Sequence, residues 1–295
     1  MWIAADWGTS NLRVWRMDGD RPVEEASSDR GMGVLSPDQF EGALLDLVGG
    51  WLAGDPAGGP TRIVACGMVG ARQGWTEAAY RPVPCAPLGL PVVRPAVKTV
   101  RLDVTILPGL SQATPPDVMR GEETQIAGVL ARDPSFDGAI CLPGTHSKWA
   151  QVSGGQVTAF RSLMTGEMFA LLSGQSVLRH SMAGQGMDMA AFDTAMADAL
   201  AAPETVPARL FPLRAEALLA GLSPDTARGR LSGLLIGAEL AAMRDWWQDR
   251  PVTIVGAGSV AALYGRALPT AHILSGTEAV LAGLIAGHRL LEGNA

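Results

Sequence analysis

Two short segments of the sequence combine glycine with hydroxyl side chains directly after an apolar run. Residues 8–11 follow the run from 2 to 5, and residues 144–146 follow the run from 139 to 142. Glycine lets backbone N–H groups approach an anion, and hydroxyl groups add donors. Both segments predict phosphate-binding turns, although ordinary turn chemistry would explain the same residue types. The candidate phosphate-binding residues are Gly8, Thr9, Ser10, Asn11, Gly144, Thr145 and His146.

The two turns lie in predicted hairpins of matched length. Gly8 and Gly19 are 11 positions apart, and so are Gly144 and Gly155. The second hairpin begins about one domain length after the first. We therefore expect two similar domains, each of which opens with a β-hairpin whose turn contains Gly-Thr.

Two acidic positions add the other groups that phosphoryl transfer needs. Asp6 ends the first apolar run, where a carboxylate beside a phosphate turn suits a Mg²⁺ ligand, direct or through water. The alternative for Asp6 is an aspartate that caps its own turn. Glu122 and Glu123 lie near the start of a predicted helix, where either could be a general base or a helix cap.

A loop rich in recognition chemistry occupies residues 67–80. Arg72 could hold a carboxylate bidentately, Gln73 and Glu77 could bind hydroxyl groups, and Trp75 could form an apolar wall. Long loops in compact domains tend to be functional, although an ordinary surface loop is the alternative. The loop therefore predicts a binding site for a small acidic substrate.

A glycine-rich turn follows the predicted strand 252–255. Its residues Gly256, Ala257 and Gly258 match the looser dinucleotide pattern, but only residues 259–295 follow, too few for a full dinucleotide-binding fold. A nicotinamide-dependent oxidoreductase is therefore not expected, and a single nucleotide could bind here. The sequence has no GxSxG, HExxH or GxxxxGK[ST] pattern, which argues against elbow-type serine hydrolases, zincins and P-loop enzymes.

Composition and charge argue against several further kinds of partner and site. A net charge of −6 and a pI near 5.3 give no reason to expect a nucleic-acid or membrane partner. The three cysteines form no CxxC pair, so neither a disulfide framework nor a structural zinc site is expected. The sequence has neither a signal-peptide pattern nor a long uncharged apolar run, which predicts a cytoplasmic protein. Nothing in the pattern indicates an oligomeric state.

The elements that must position these residues alternate between strands and helices. Helices are predicted over 37–53, 118–132, 260–267 and 277–291, and they dominate 165–247. Residues 67–91 are predicted to be one long loop rich in glycine and proline. The predicted strands are 2–5, 12–15, 62–66, 100–107, 139–142, 148–152, 156–163, 252–255 and 271–274.

Together the motifs resemble the actin, Hsp70 and sugar-kinase superfamily and, more narrowly, the 2-keto-3-deoxygalactonokinase family. RGEETQ (120–125) with LPGTHSKW (142–149) at this spacing is the most specific part of the resemblance. The remaining matches are DWGTSNLRVW (6–15), GMVGARQGWTEAAY (67–80), LMTGEMFALLS (163–173), SGLLIGAEL (232–240) and VGAGSVAALYGRAL (255–268).

The resemblance implies an α/β fold of two ribonuclease-H-like domains, 1–117 and 118–295, with an interdomain cleft for nucleotide and substrate. It implies that ATP phosphorylates the 6-hydroxyl of 2-keto-3-deoxygalactonate in galactonate catabolism. Asp6 would organise Mg²⁺, the two Gly-Thr turns would bind the phosphates of ATP, and residues 256–258 would border adenosine. Glu122 occupies the place of the acidic base in related kinases, which carry aspartate there, and Glu123 is the alternative base.

Two other functions remain compatible with these residues. One is a kinase of another sugar or sugar acid, such as 2-keto-3-deoxygluconate. The other is a nucleotide-binding switch without sugar chemistry, which would use the Gly-Thr turns and Asp6 but would have no need for a base at Glu122. Arg72 favours an acidic substrate on chemical grounds, because a guanidinium matches a carboxylate.

Overall fold

The structure is a computed structural model that describes residues 1–53, 59–256 and 258–293. The strands in these residues are β1 Trp2–Trp7, β2 Leu12–Asp18, β3 Arg21–Ser28, β4 Thr61–Gly67, β5 Tyr80–Pro82, β6 Leu102–Ile106, β7 Gly109–Gln112, β8 Asp117–Met119, β9 Gly138–Leu142, β10 Ser147–Ser153, β11 Gln156–Leu163, β12 Val252–Gly256 and β13 His272–Ser275. The α-helices are α1 Phe40–Ala53, α2 Glu122–Arg132, α3 Thr165–Gly174, α4 Met189–Ala201, α5 Val206–Leu219, α6 Pro224–Ala242, α7 Arg244–Trp247, α8 Gly258–Ala267 and α9 Gly276–Glu292.

The chain divides into two compact units that are discontinuous in sequence. The first comprises Met1–Asp137, Val152–Phe160 and Ser275–Ala295, and the second comprises Gly138–Gln151 and Arg161–Leu274. The first unit therefore includes α2 and α9, which pack closely against each other. The domain ranges 1–117 and 118–295 stay a prediction.

The first sheet has the strand order β3-β2-β1-β4-β6. β1, β2 and β3 are antiparallel neighbours, whereas β4 and β6 run parallel to β1. Both faces of the sheet are covered, so β1 is apolar and buried at every position except Asp6. Ile3 and Trp7 belong to the core cluster that contains α1, while Trp2 and Ala4 pack with residues of α9. A carboxylate is therefore the second-last residue of an otherwise apolar central strand.

The second sheet repeats this order as β11-β10-β9-β12-β13. β9 and β12 are parallel, as β1 and β4 are in the first sheet. Helices α4 and α6 pack closely together, because glycines of α6 admit the α4 backbone. A Cβ built at Gly233 would lie only 2.3 Å from the Phe192 carbonyl oxygen. The repeat expected from the two hairpins thus extends to the order of five strands.

Three elements differ from the sequence-based expectations. β3 is the second arm of the hairpin that turns at Gly19; the pattern missed it because an edge strand exposes most of its side chains. The single loop expected over 67–91 is wrong at Tyr80–Pro82, which pairs with β7 in a small third sheet with β8. The helix expected from residue 118 begins at Glu122, since β8 occupies residues 117–119.

No helix in the described parts of the chain combines the length and the apolar composition that a membrane crossing requires.

Candidate active site

The first glycine turn connects β1 to β2 and is exposed. The Gly8 N–H donates to the Asn11 carbonyl oxygen over 2.9 Å, which closes the turn. The carbonyl oxygens of Gly8 and Thr9 accept hydrogen bonds from the backbone of Met32 and Gly33, at 3.0 and 2.8 Å. Thr9, Ser10 and Asn11 are exposed, so their hydroxyl and amide groups are accessible to a ligand.

A glycine segment that the sequence analysis missed supports this turn from behind. A Cβ built at Gly31 would lie 2.3 Å from the Thr9 carbonyl oxygen and 2.5 Å from the Asn11 nitrogen. Any side chain at Gly31 would therefore displace the turn. The Gly-Met-Gly pattern at residues 31–33 was visible in the sequence, but its contact with residues 8–11 was not.

The second glycine turn connects β9 to β10 and is supported in the same way. Gly144, Thr145 and His146 are exposed. The Glu167 N–H donates to the Thr145 carbonyl oxygen over 2.9 Å, and a Cβ at Gly166 would lie 2.2 Å from the Gly144 carbonyl oxygen. His146 Nε2 lies 2.6 Å from a carboxylate oxygen of Glu167. Each phosphate-turn candidate thus rests on a glycine-containing segment.

Asp6 is held by two side chains at the end of β1. Arg13, its cross-strand neighbour on β2, donates from Nη2 to Asp6 Oδ2 over 2.6 Å and from Nη1 to Thr277 Oγ1 over 2.8 Å. The Cys66 thiol lies 3.9 Å from Asp6 Oδ1. The Asp6 side chain is 19% exposed, so the carboxylate is fixed but accessible.

Asp6 offers one carboxylate beside an exposed turn, and the described residues contain no cluster of three or more His, Cys, Asp or Glu suited to a metal ion. This donor set fits Mg²⁺, which usually binds proteins through one or two carboxylates and completes its shell with phosphate oxygens and water.

The start of α2 lies against the end of β4 through two glycines with positive φ. Gly67 has φ +91° and Gly121 has φ +108°, and a Cβ at Gly121 would lie 3.2 Å from the Gly67 Cα. Only glycine adopts these backbone angles without strain. The close approach places Glu122 and Glu123 at the edge of the sheet where β1 and β4 end.

The two glutamates have different environments. Glu123 is fully buried, and the Gly121 N–H donates to its Oε2 over 2.7 Å. Burial, followed by the nearby charge of Glu122, raises the pKa of Glu123 to about 8. Glu122 is half-buried, and its Oε2 accepts the Arg120 N–H over 3.0 Å. Of the two carboxylates, only that of Glu122 borders solvent.

Cys66 connects the two acidic positions. Burial raises the pKa of its thiol, and the negative charges of Asp6 and Glu123 raise it further. The Cys66 thiol is therefore buried and neutral, and it lies close enough to Asp6 and to the start of α2 to feel the charges of both.

The loop over residues 67–80 is ordered by its own backbone. The Trp75 N–H donates to the Val69 carbonyl oxygen and the Ala78 N–H to that of Gly70, both over 2.9 Å. The Trp75 ring stacks on Phe40 with centroids 6.1 Å apart, so this side chain also packs against the core. The polar candidates Arg72, Gln73 and Glu77 are exposed.

Arg120 links this loop to α2, and the sequence analysis did not identify it. The buried guanidinium donates from Nη2 to the Ala78 carbonyl oxygen over 2.7 Å and lies 4.2 Å from the centre of the Tyr80 ring. The sequence signal for Arg120 is its position directly before Gly121 and the two glutamates. Arg120 therefore fixes the candidate substrate loop relative to the candidate base.

The second unit contains a cavity of about 460 Å³ with a mainly apolar lining. Ser259 and Val260, which follow the predicted adenosine turn at Gly256 and Gly258, line it. Ala257 lies outside the described residues. A cavity of this size and character suits a flat heteroaromatic ligand. Its other lining residues are Gly144, Thr145, Thr165, Gly166, Phe169, Met187, Ser232, Leu235, Ile236, Leu263 and Tyr264.

Comparison with solved structures defines the fold class first. The activator of 2-hydroxyisocaproyl-CoA dehydratase from Clostridium difficile, solved with bound ADPNP, is 12% identical and has a TM-score of 0.51, over 99% of this chain and 96% of that one. This likeness concerns the fold alone. Together with the two sheets of identical strand order, it confirms the predicted α/β fold of the actin-like ATPase and sugar-kinase class.

Sequence comparison then gives the family. The profile of the family described as 2-keto-3-deoxy-galactonokinase matches residues 6–286. The 2-dehydro-3-deoxygalactonokinase of Escherichia coli (strain K12) is 35% identical over 269 residues, which cover 90% of this chain and 88% of that protein. A crystal structure of a Sinorhizobium meliloti protein assigned the same activity is 36% identical, covers 99% of both chains and has a TM-score of 0.89.

This chain belongs to the 2-keto-3-deoxy-galactonokinase family. The resemblance predicted from the motifs is therefore confirmed, and with it the assignment of the chain to the phosphotransferases.

Proposed function

We propose that this protein transfers the γ-phosphoryl group of ATP, with Mg²⁺, to the 6-hydroxyl of 2-keto-3-deoxygalactonate. The observation that carries the proposal is the arrangement at the ends of β1 and β4, where an exposed Gly-Thr turn, Asp6 and Glu122 meet in a chain of this kinase family. Because the donor is ATP, we place the reaction in the cytoplasm.

The glycine turn of each unit and the cavity of the second unit are the groups that we propose for ATP. Residues 8–11 and 144–146 would donate backbone N–H and side-chain hydrogen bonds to the phosphates of ATP. The cavity beside Gly256 and Gly258 would take the adenosine, with the adenine against its apolar lining. Bound at Asp6, directly or through water, Mg²⁺ would neutralise phosphate charge during transfer.

Glu122 is the base in this proposal. It would accept the proton of the 6-hydroxyl as that oxygen attacks the γ-phosphorus, which orients and activates the nucleophile. The partial exposure of Glu122 supports this choice, whereas Glu123 is buried and its carboxylate is turned to Gly121 and Thr124.

Arg72 would hold the carboxylate of the sugar acid. It is exposed on an ordered loop, and its guanidinium can bind a carboxylate through two parallel hydrogen bonds. Gln73 and Glu77 would bind hydroxyl groups of the substrate, and the exposed part of Trp75 would contact its carbon chain.

The proposal is tested by measuring ADP release from Mg-ATP with four acceptor conditions. These are no acceptor, 2-keto-3-deoxygalactonate, 2-keto-3-deoxygluconate and a panel of neutral sugars. We expect release with the first sugar acid only. Release with neutral sugars would still show kinase activity but would contradict the role of Arg72. Folded protein that binds ATP yet releases no ADP with any acceptor would indicate a nucleotide-binding switch.

A further inference from the structure

A buried carboxylate in the second unit has no role in the site described so far. Glu239 lies in α6 and is only 2% exposed. The Trp149 indole N–H donates to its Oε1 over 2.8 Å. Its Oε2 accepts hydrogen bonds from the Tyr264 hydroxyl, over 2.9 Å, and from the Thr165 hydroxyl. Burying a carboxylate is costly, so a fully hydrogen-bonded one needs an explanation.

The donors to Glu239 come from the elements that surround the second glycine turn. Trp149 is on β10, Thr165 is the first residue of α3, and Tyr264 is on α8. The Tyr264 hydroxyl also lies 3.1 Å from Ser147 Oγ, directly after the turn. Through these side chains one carboxylate connects β10, α3 and α8 around residues 144–146.

Two of these partners connect Glu239 to the ligand-facing surface. Thr165 and Tyr264 both line the apolar cavity. Thr165 also precedes Gly166 and Glu167, the residues that contact the Gly144 and Thr145 carbonyl oxygens. A shift of Thr165 would therefore move the backbone support of the turn and one wall of the cavity together.

We propose that Glu239 is a positioning residue for the nucleotide. By accepting hydrogen bonds from Thr165 and Tyr264, it holds the second glycine turn and the cavity wall in the relative positions that ATP binding requires. This inference rests on the proposed function, because it assigns the cavity to the nucleotide. Glu239 does not touch ATP, and it affects the binding of the nucleotide but not that of the sugar acid.

Glutamine at position 239 is the informative substitution. It keeps the shape of the side chain but replaces one acceptor oxygen with an NH₂ group. The Trp149 indole can only donate, so the remaining oxygen is expected to face it. The Thr165 and Tyr264 hydroxyl groups then meet a donor and lose their shared acceptor.

The experiment measures AMP-PNP binding by calorimetry for the wild type, E239Q and Y264F, together with the Michaelis constants for ATP and for 2-keto-3-deoxygalactonate. E216Q is the control, since Glu216 is a glutamate of the same unit that pairs with Arg230 away from the cavity. We expect E239Q to weaken AMP-PNP binding and to raise KM for ATP about tenfold, because the turn and the cavity wall lose the shared acceptor that fixes them. KM for the sugar acid should change less than about twofold, and E216Q should match the wild type.

Unchanged AMP-PNP affinity in both E239Q and Y264F would overturn the inference, and so would equal increases in both Michaelis constants. Should E239Q not fold, Y264F decides, because it removes one hydrogen bond without leaving a buried charge unpaired. A wild-type protein that does not bind AMP-PNP would instead contradict the proposed function itself, so the two failures are distinguishable.

Discussion

Asp6 forms an ion pair with Arg13 and lies two residues before the first glycine turn. Arg13 occupies one carboxylate oxygen, and Oδ1 contacts only the weakly polar Cys66 thiol among the bonds described. A cation or its bound water can therefore approach Oδ1. Asp6 and Glu122 could be proposed as site residues from the sequence, because Asp6 follows an apolar run and Glu122 lies near the start of a predicted helix. The supporting contacts of Cys66, Arg13 and Arg120 were not, because they depend on side-chain placement.

Asp6→Asn tests the metal role. The amide keeps the size of the side chain but loses the charge that would hold Mg²⁺, so we expect kcat to fall at least about 100-fold while the protein remains folded. Steady-state kinetics and circular dichroism would measure the two effects. Near-normal turnover would show that Asp6 does not bind the metal.

Glu122→Gln tests the identity of the base, with Glu123→Gln as its matched control. We expect the first variant to lose about 100-fold or more in kcat, in the usual range for general-base catalysis, with little change in either Michaelis constant. The second should retain most activity. The opposite ranking would assign the base to Glu123.

Glu123 should also make stability depend on pH. Its pKa rises from 4.5 in the unfolded chain to about 8 in the folded protein, so the folded state holds the proton more tightly. The free energy of unfolding should therefore fall as pH rises between these values, by about 1 kcal/mol per pH unit. Urea denaturation at pH 5.5 and 7.5 would show a smaller decrease for Glu123→Gln than for wild type. Identical decreases in both proteins would contradict the assignment.

Arg72→Ala tests substrate recognition. Loss of a bidentate contact with a carboxylate should raise KM for the sugar acid about tenfold or more and leave KM for ATP nearly unchanged. Initial rates with each substrate varied in turn provide the measurement. Equal effects on both constants would show that Arg72 serves the fold or the nucleotide.

At the scale of elements, each glycine turn depends on a segment that comes 20 or so residues later in the chain, within the usual span of a supersecondary motif. The backbone of Gly33 supports Thr9, and that of Glu167 supports Thr145 in the same way. Sequence alone predicted the turns because glycine after an apolar strand is a local signal. It could not predict the supports, since nothing local specifies which distant glycine contacts the turn.

Gly31→Ala tests the support of the first turn. The added Cβ would lie 2.3 Å from backbone atoms of the turn, so residues 8–11 must move. Displacing such groups by about 1 Å can cost about 100-fold in rate, and we expect a comparable loss in kcat/KM for ATP. Gly42→Ala in α1 is the control, because its Cβ would meet nothing within 4 Å and alanine favours helices. Full activity in Gly31→Ala would contradict the support role.

At the scale of the whole molecule, the sequence predicted most strands and helices and the repeated arrangement of its two halves. The buried strand β9 is a continuous apolar run, as is β1 up to Asp6, and the 3.6-residue period identifies α9. The sequence pattern did not predict β3, because an edge strand with exposed charged residues lacks the apolar run of a buried strand. It also did not predict the small sheet at Tyr80–Pro82, whose strands are too short to show a period. Packing between distant segments, such as α2 against α9, has no local signal.

The identity of the product tests the proposed phosphoryl transfer most directly. The protein would be incubated with Mg-ATP and 2-keto-3-deoxygalactonate, and the product examined by phosphorus–proton correlation NMR. We expect one phosphomonoester whose phosphorus couples to the protons on carbon 6, with ADP formed in equal amount. A phosphate on another carbon, or no phosphorylated sugar acid at all from folded protein, would contradict it.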